Sequence, residues 1–292
     1  MELTRYQKEI LNRLPLGFAI MFALMVILFV SRSEGAMTAK EMHEKMIYPV
    51  IRVSERGSGT IIYSKPNDKG AYSTYALTNH HVISDAIQII EEWNSDLQKK
   101  VEKEKRSILY VEIFQYKNLS TPIGTLKVEA ELIIYSKDED LALLKFGTEN
   151  QAAYVAEYYP GTNLDDVFLT DETFACGCSL GFPPIITKGM LIRKNFYIDS
   201  LPFGMSSAQI IFGNSGGAMY TGKGEFIGIP SRVPVIGWSS AVPHMGLFIP
   251  IGRICDWLKK EHYEFIFDIT KSEKDCLDAR KKEIEANKAK KQ

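Results

Sequence analysis

Phe212-Gly213-Asn214-Ser215-Gly216-Gly217-Ala218 decides the reading of this chain. One serine stands among three glycines, with Ile210-Ile211 before it and Ala218-Met219-Tyr220 after it. Glycines in such a place mean a backbone that turns tightly or passes close to other atoms. A serine hydroxyl becomes a useful nucleophile only when a base takes its proton and a third group orients that base. The stretch therefore requires a histidine and a carboxylate elsewhere.

Working outward, Leu77-Thr78-Asn79-His80-His81-Val82-Ile83 supplies the histidine and Asp138-Glu139-Asp140-Leu141-Ala142-Leu143 the carboxylate. Further upstream lies Gly57-Ser58-Gly59. The order His, Asp, Ser is that of the chymotrypsin fold, whereas subtilisins and α/β-hydrolases use other orders. On these four motifs the chain resembles the trypsin-like serine peptidases, and within them the bacterial HtrA/Deg branch. That branch carries Gly-Ser-Gly, Thr-Asn-x-His-Val, Asp-Leu-Ala-Leu and Gly-Asn-Ser-Gly-Gly. The resemblance covers about residues 45–260; each motif is weak alone, and four in order are strong.

The resemblance implies a triad of His81, Asp140 and Ser215. Val82 follows His81 as the family pattern has it, which selects His81 over His80. The Asp-Leu-Ala-Leu match selects Asp140 over Asp138. An oxyanion loop of Gly213, Asn214 and Ser215 is implied, with the N–H groups of Gly213 and Ser215 as its donors. A substrate pocket would be lined by Gln209, Ile210, Ile229, Pro230, Ser231 and Phe248. Gln209, not a carboxylate, stands at the position of the pocket base, so cleavage after Lys or Arg is not expected and a mid-sized apolar residue is. No cofactor is implied.

The fold expected is all-β: two antiparallel six-stranded barrels, chymotrypsin-like, at about 45–148 and 165–250. An N-terminal transmembrane or signal helix, a helical insertion and a C-terminal helix are added to them. The protease domain then spans 45–262, and 263–292 is a charged tail, solvated and either a frayed helix or disordered. Residues 36–47 read as a short helical or irregular linker. The helical insertion is read from Ile87, Ile90, Trp93, Leu97 and Val101, which recur at helical spacing between about Asp85 and Lys105. The second barrel is expected to open near Asp166-Val167-Phe168-Leu169. Arg253 to Glu261 reads as an amphipathic helix with Ile254, Trp257 and Leu258 inward.

Near the start, Leu14 to Val30 is uncharged and apolar. At about 1.5 Å per residue it just spans a thin hydrocarbon core. Residues 1–35 are thus a signal-anchor or a cleaved signal peptide. Either way the protease domain is expected on the extracytoplasmic side, periplasmic or extracellular, anchored to the membrane through residues 14–30 or secreted. The stretch after residue 262 is too short for the PDZ domain that the HtrA branch usually carries, so PDZ-based activation is not expected of it.

Composition narrows the classes further. With 292 residues and a formal net charge of −1, nothing suggests nucleic acid as a partner. Five histidines and four cysteines are too scattered for a zinc site. Cys176, Cys178, Cys255 and Cys276 are expected as mostly free thiols in small apolar niches. Asn118-Leu119-Ser120 is a formal glycosylation sequon read as a surface loop. The function these residues imply is serine endopeptidase, with protein or peptide substrates. Two alternatives remain: a binding or scaffold protein on the same fold without turnover, and self-processing of the linker near residues 31–45.

Overall fold

The computed structural model describes residues 37–95, 98–161, 163–237 and 240–289. The chain divides into two units, Met1–Thr38 and Ala39–Gln292, and the fold below is that of the second. The apolar run Leu14–Val30 lies outside the described residues. Among the described residues no helix is long and apolar enough to cross a membrane.

Six antiparallel strands close into a barrel in the order β1-β2-β3-β8-β7-β6. They are β1 (Val50–Val53), β2 (Gly57–Pro66), β3 (Tyr72–Thr78), β6 (Leu109–Lys117), β7 (Thr121–Ser136) and β8 (Leu141–Phe146). The β2–β3 hairpin turns at Asn67, whose side chain accepts the Lys69 N–H at 2.9 Å, and Gly70 takes φ 77° there. Inward-facing residues such as Ile51, Val53, Ile61, Leu132 and Leu144 fill the barrel, as the period-2 alternation of strands requires. A short helix, α1 (His80–Ile83), follows β3 and drops Val82 and Ile83 into the same core.

After α1 the expected long helix is absent. Ile87 to Arg106 is instead a two-stranded antiparallel ribbon, β4 (Ile87–Asn94) and β5 (Lys99–Arg106), in register from Ile87 opposite Arg106 to Asn94 opposite Lys99. Ile87, Ile89, Ile90 and Trp93 favour a pleated surface as well as they fit a helical period. Charge completes the choice: Lys100 reaches Glu91 at 3.1 Å and Lys103 reaches Glu92 at 2.8 Å across the strands. Gln98 turns the ribbon with φ 47°. Arg106 ties the base of the ribbon to the Leu132 and Ile133 carbonyls of β7, each at 2.8 Å.

A second sheet runs β13-β10-β11-β12-β17-β14-β9, and β13 also pairs with β14. Its strands are β9 (Glu157–Tyr158), β10 (Glu172–Gly177), β11 (Ile185–Ile198), β12 (Leu201–Ser206), β13 (Ala218–Thr221), β14 (Glu225–Arg232) and β17 (Gly246–Pro250). A separate small ladder joins β15 (Val235–Ile236) to β16 (Ser240–Ala241). Asp166 to Leu169, expected to open this half as a strand, is a turn. The Asp171 carboxylate accepts the Phe168 N–H at 2.7 Å, and Thr170 takes φ 80°; the next strand of the sheet, β10, begins at Glu172.

The predicted amphipathic helix is α2 (Ile251–Lys260), with Ile254, Trp257 and Leu258 buried. The tail departs from expectation, because α3 (Glu273–Ala289) is a helix whose first turn is docked rather than solvated. Glu273 accepts the Tyr75 hydroxyl at 2.7 Å and pairs with Lys145 at 3.3 Å, and Cys276 is buried. Beyond Asp278 almost every residue is exposed. Residues 39–47 are helical, Ala39–Met42 running into a π turn, His43–Ile47. They touch the β6–β7 turn that carries the sequon, where His43 Nε2 lies 2.8 Å from Ser120 Oγ, and Tyr48, which follows them, donates to the Leu119 carbonyl at 2.9 Å.

Candidate active site

Two strand ends and one loop meet at the candidate site. The chain leaves β3 at Thr78, passes Asn79 in an extended conformation and enters α1. Val82 and Ile83 fix α1 to the barrel, and the adjacent His81 side chain stays about half exposed, at 49%. On the next strand of the same barrel, β8 is preceded by a turn in which the Asp140 N–H donates to the Lys137 carbonyl at 3.3 Å. Asp140 adopts φ 53°, a left-handed conformation that non-glycine residues hold only against a cost.

His81 and Asp140 are in direct contact. The His81 ring nitrogen Nδ1 lies 3.0 Å from both carboxylate oxygens of Asp140, and the His81 main-chain N–H donates to Oδ1 at 3.1 Å. The Ser231 hydroxyl donates to Oδ2 at 2.7 Å. Asn79 Nδ2 donates to the Asp140 carbonyl at 2.8 Å. Burial by itself would raise the pKa of the Asp140 carboxyl. The hydrogen bond and charge of His81 and the Ser231 hydroxyl more than offset that and hold it below its ordinary value. His80 points to a different role: it stacks on Tyr135 at 5.2 Å, and burial lowers its pKa. Asp138 is exposed.

Ser231 was expected in the substrate pocket. Its hydroxyl meets the Asp140 carboxylate, reaching it from β14 in the other sheet. Asn79 and Ser231 are the two site residues that the sequence did not single out for this task. Asn79 stood inside the Thr-Asn-x-His-Val motif; no local signal marks a serine 91 residues from its partner.

The Ser215 loop is braced by the Gly57-Ser58-Gly59 motif. The Ser58 N–H donates to the Ser215 carbonyl at 2.8 Å, and the Ser58 hydroxyl donates to the Gly213 carbonyl at 2.6 Å. A Cβ on Gly57 would sit 2.7 Å from Val82 Cγ2, so this glycine lets the loop brace pass beside α1. From the other side the Gly216 N–H donates to the Pro230 carbonyl at 3.2 Å, one residue before Ser231. Gly213 has φ 95°, and a Cβ there would lie 2.5 Å from the Cys178 carbonyl oxygen; only glycine fits.

Among the described residues no hydrogen bond takes up the Gly213 or Ser215 N–H. The Asn214 N–H differs: it donates to the Ile211 carbonyl at 3.1 Å. Asn214 therefore shapes the loop, with its buried amide oxygen accepting from Ser179 Oγ at 2.8 Å, rather than offering a third donor. No hydrogen bond among the described residues joins the His81 ring to Ser215 Oγ.

The expected pocket residues separate into groups. Gln209 is exposed, and its carbonyl accepts from Thr187 Oγ1 at 2.9 Å, so it does not form a buried pocket base. Ile210 is buried against Gly246, where a Cβ would meet Ile210 Cβ at 2.5 Å. Ile229 and Phe248 are wholly buried inside the second sheet. Pro230 is also buried. All four cysteines are free and buried, and burial pushes the Cys178 and Cys255 thiols up to about 12; such thiols are not nucleophiles near neutral pH. Among the described residues no cluster of His, Cys, Asp and Glu is arranged to hold a metal.

A six-stranded closed barrel, a histidine–aspartate pair at its rim and a glycine-framed serine loop braced beside it define a trypsin-like, serine-type peptidase domain. The family model for the trypsin-like peptidase domain matches residues 57–229, and the chain belongs to that family. A Pseudomonas putida protein named "Probable periplasmic serine endoprotease DegP-like" is 29% identical over 198 residues, which is 64% of this chain and 32% of that protein. A protein of the same name from Ectopseudomonas mendocina is 29% identical over 180 residues, 58% of this chain and 30% of the relative. The chain thus spans about a third of the length of the curated relatives it matches. Among solved structures, the HtrA-type protease AlgW with a tripeptide has a TM-score of 0.55 at 19% identity, covering 78% of this chain and 64% of that one. A serine endoprotease from Yersinia pestis follows at TM-score 0.52 and 21% identity, covering 78% and 67%. The fold is chymotrypsin-like, of the HtrA type.

Proposed function

We propose that this protein is a serine endopeptidase acting on protein or peptide segments through His81, Asp140 and Ser215. The second sheet, with its β13–β14 pairing, is the second barrel in this reading, and substrate lies in the groove between the two. Ser215 Oγ attacks the scissile carbonyl, and His81 takes its proton and returns it to the leaving amine. Asp140 keeps the Nδ1 proton of His81 in place and stabilises the imidazolium. The Gly213 and Ser215 N–H groups stabilise the oxyanion; one such donor is worth roughly 100- to 1000-fold in rate. Water then hydrolyses the acyl-enzyme by the same base.

The observation that carries the proposal is the His81 ring set on the Asp140 carboxylate, with Ser231 reaching in from the sheet that also braces the Ser215 loop. The absent His81–Ser215 bond is compatible with it, because catalytic hydrogen bonds often tighten only with substrate present. The apolar run Leu14–Val30 and the periplasmic naming of the relatives support an extracytoplasmic site of action, membrane-anchored or released.

Fluorophosphonate labelling, together with hydrolysis of an unfolded protein such as casein, tests the proposal. Wild-type protein is expected to label and to cleave, and Ser215→Ala to do neither. Wild-type protein that folds but neither labels nor cleaves would favour the scaffold reading.

A further inference from the structure

Asp140 is the residue of the site whose backbone is under most constraint. It is buried, it sits in the left-handed region at φ 53°, and its carboxylate must meet His81. The turn leading to it is closed by a long hydrogen bond of 3.3 Å. Something beyond the turn must hold this geometry.

Asn79, His81 and Ser231 hold Asp140 itself, and the neighbouring residue is held as well. Glu139 Oε2 accepts from Arg253 Nε at 3.0 Å and from its Nη2 at 2.6 Å, and Nη2 also donates to the Glu139 carbonyl at 3.3 Å. That carbonyl belongs to the peptide unit whose nitrogen is the Asp140 N–H. One guanidinium therefore grips both the side chain and the peptide bond next to the carboxylate. Its remaining terminal nitrogen, Nη1, donates to the Pro202 carbonyl at 3.2 Å, and the guanidinium carbon lies 4.8 Å from the centre of the Phe203 ring. The Arg253 side chain is only 9% exposed.

Helix α2 alone does not explain this arginine. Arg253 is the third residue of α2, at the end of the helix where positive charge is disfavoured by the macrodipole. Burial adds desolvation on top of that. A planar fork with donors on three nitrogens suits a task that needs several acceptors gripped at fixed angles. The Phe203 ring also carries the guanidinium of Arg232, at 5.2 Å, and Arg232 follows Ser231, whose hydroxyl donates to Asp140. One aromatic ring thus carries Arg253 and the residue next to Ser231.

We propose that Arg253 is a positioning residue: by clamping Glu139 it holds Asp140 in its left-handed conformation and so keeps the carboxylate on His81. The proposal rests on the endopeptidase reading above, since the rate it protects is that of the His81–Asp140–Ser215 reaction. Arg253→Lys keeps the charge and loses the fork; Glu139→Gln keeps the shape and loses the charge. Each is assayed for kcat, KM, thermal midpoint and the far-downfield proton NMR signal of the His81 Nδ1 proton shared with Asp140.

Both variants are expected to lower kcat by roughly 10- to 100-fold, the scale of an ångström misplacement, with KM within about twofold of wild type. The downfield signal should weaken or shift in both, and the double variant should be no worse than Arg253→Lys, since the two act as one unit. Unchanged kcat and signal in both variants would overturn the proposal, as would a loss of rate that only follows the fraction unfolded. If Arg253→Lys fails to fold, Glu139→Gln decides alone by the same readouts. Should the wild-type protein prove unreactive toward fluorophosphonate, the endopeptidase reading falls separately. The NMR signal then decides: its loss in the variants sustains the clamp and its survival overturns it.

Discussion

At Asp140 the physical terms of the site can be separated. Burial would neutralise the carboxyl, and donors from His81 and Ser231 oppose it and prevail. A carboxyl whose pKa is depressed in the folded state stabilises the fold above its unfolded value, near 3.9, and that contribution disappears as pH falls through the folded value. Ser231→Ala removes one of the opposing donors. It is expected to cost about 1–3 kcal/mol near pH 7, the scale of a buried acceptor left short of a partner. The gap from wild type should narrow as pH falls below the ordinary carboxylate value and through the depressed folded value of Asp140 in the wild-type protein. Urea unfolding measured between pH 3 and pH 7 checks this; a gap independent of pH would place the role of Ser231 elsewhere.

The β4–β5 ribbon shows how an element is chosen between two local options. Its apolar residues fit a helical period, yet Ile89 and Trp93 remain 59% and 66% exposed, so the ribbon buries little of their apolar area. Cross-strand ion pairs and the Arg106 tether to β7 then suffice to favour the strands. Two-stranded ribbons are marginal on their own, and this one adds little to the stability of the barrel. Replacing residues 88–105 with a short Asn-Gly turn is expected to shift the thermal midpoint by no more than about 4 °C, equivalent to about 1 kcal/mol in a domain of this size. Peptidase activity on a short substrate should persist. Collapse of the fold on deletion would show that the ribbon bears on the barrel core.

At the scale of the whole chain, the C-terminal segment closes over the first barrel. Tyr263 and Phe265 each pack edge to face on Tyr75, and Glu273 at the head of α3 satisfies both Tyr75 and Lys145. Burial and the Glu273 hydrogen bond push the Tyr75 pKa far above its ordinary value, so it stays a neutral donor. Glu273→Ala leaves that buried hydroxyl without its acceptor and should cost about 1–3 kcal/mol. Lys282→Ala, on the exposed part of the same helix, should stay within about 0.5 kcal/mol of wild type. Chemical denaturation of the two variants compares them directly, and equal effects would mean that α3 does not dock through its first turn.

The local sequence was enough wherever chemistry and backbone demand coincide within a few residues. Gly213 beside Ser215, which takes positive φ, and Val82 beside His81, which is buried in the first barrel, are such cases. The amphipathic α2 was legible for the same reason, because one stripe of Ile254, Trp257 and Leu258 has to be buried somewhere. Only the tertiary structure decided Ser231 on Asp140, Arg253 on Glu139, Glu273 on Tyr75 and the ribbon in place of a helix. In each of these a polar or charged group finds its partner through space, at a distance of many residues, and side-chain identity states what a group can bond but not which chain segment will arrive beside it.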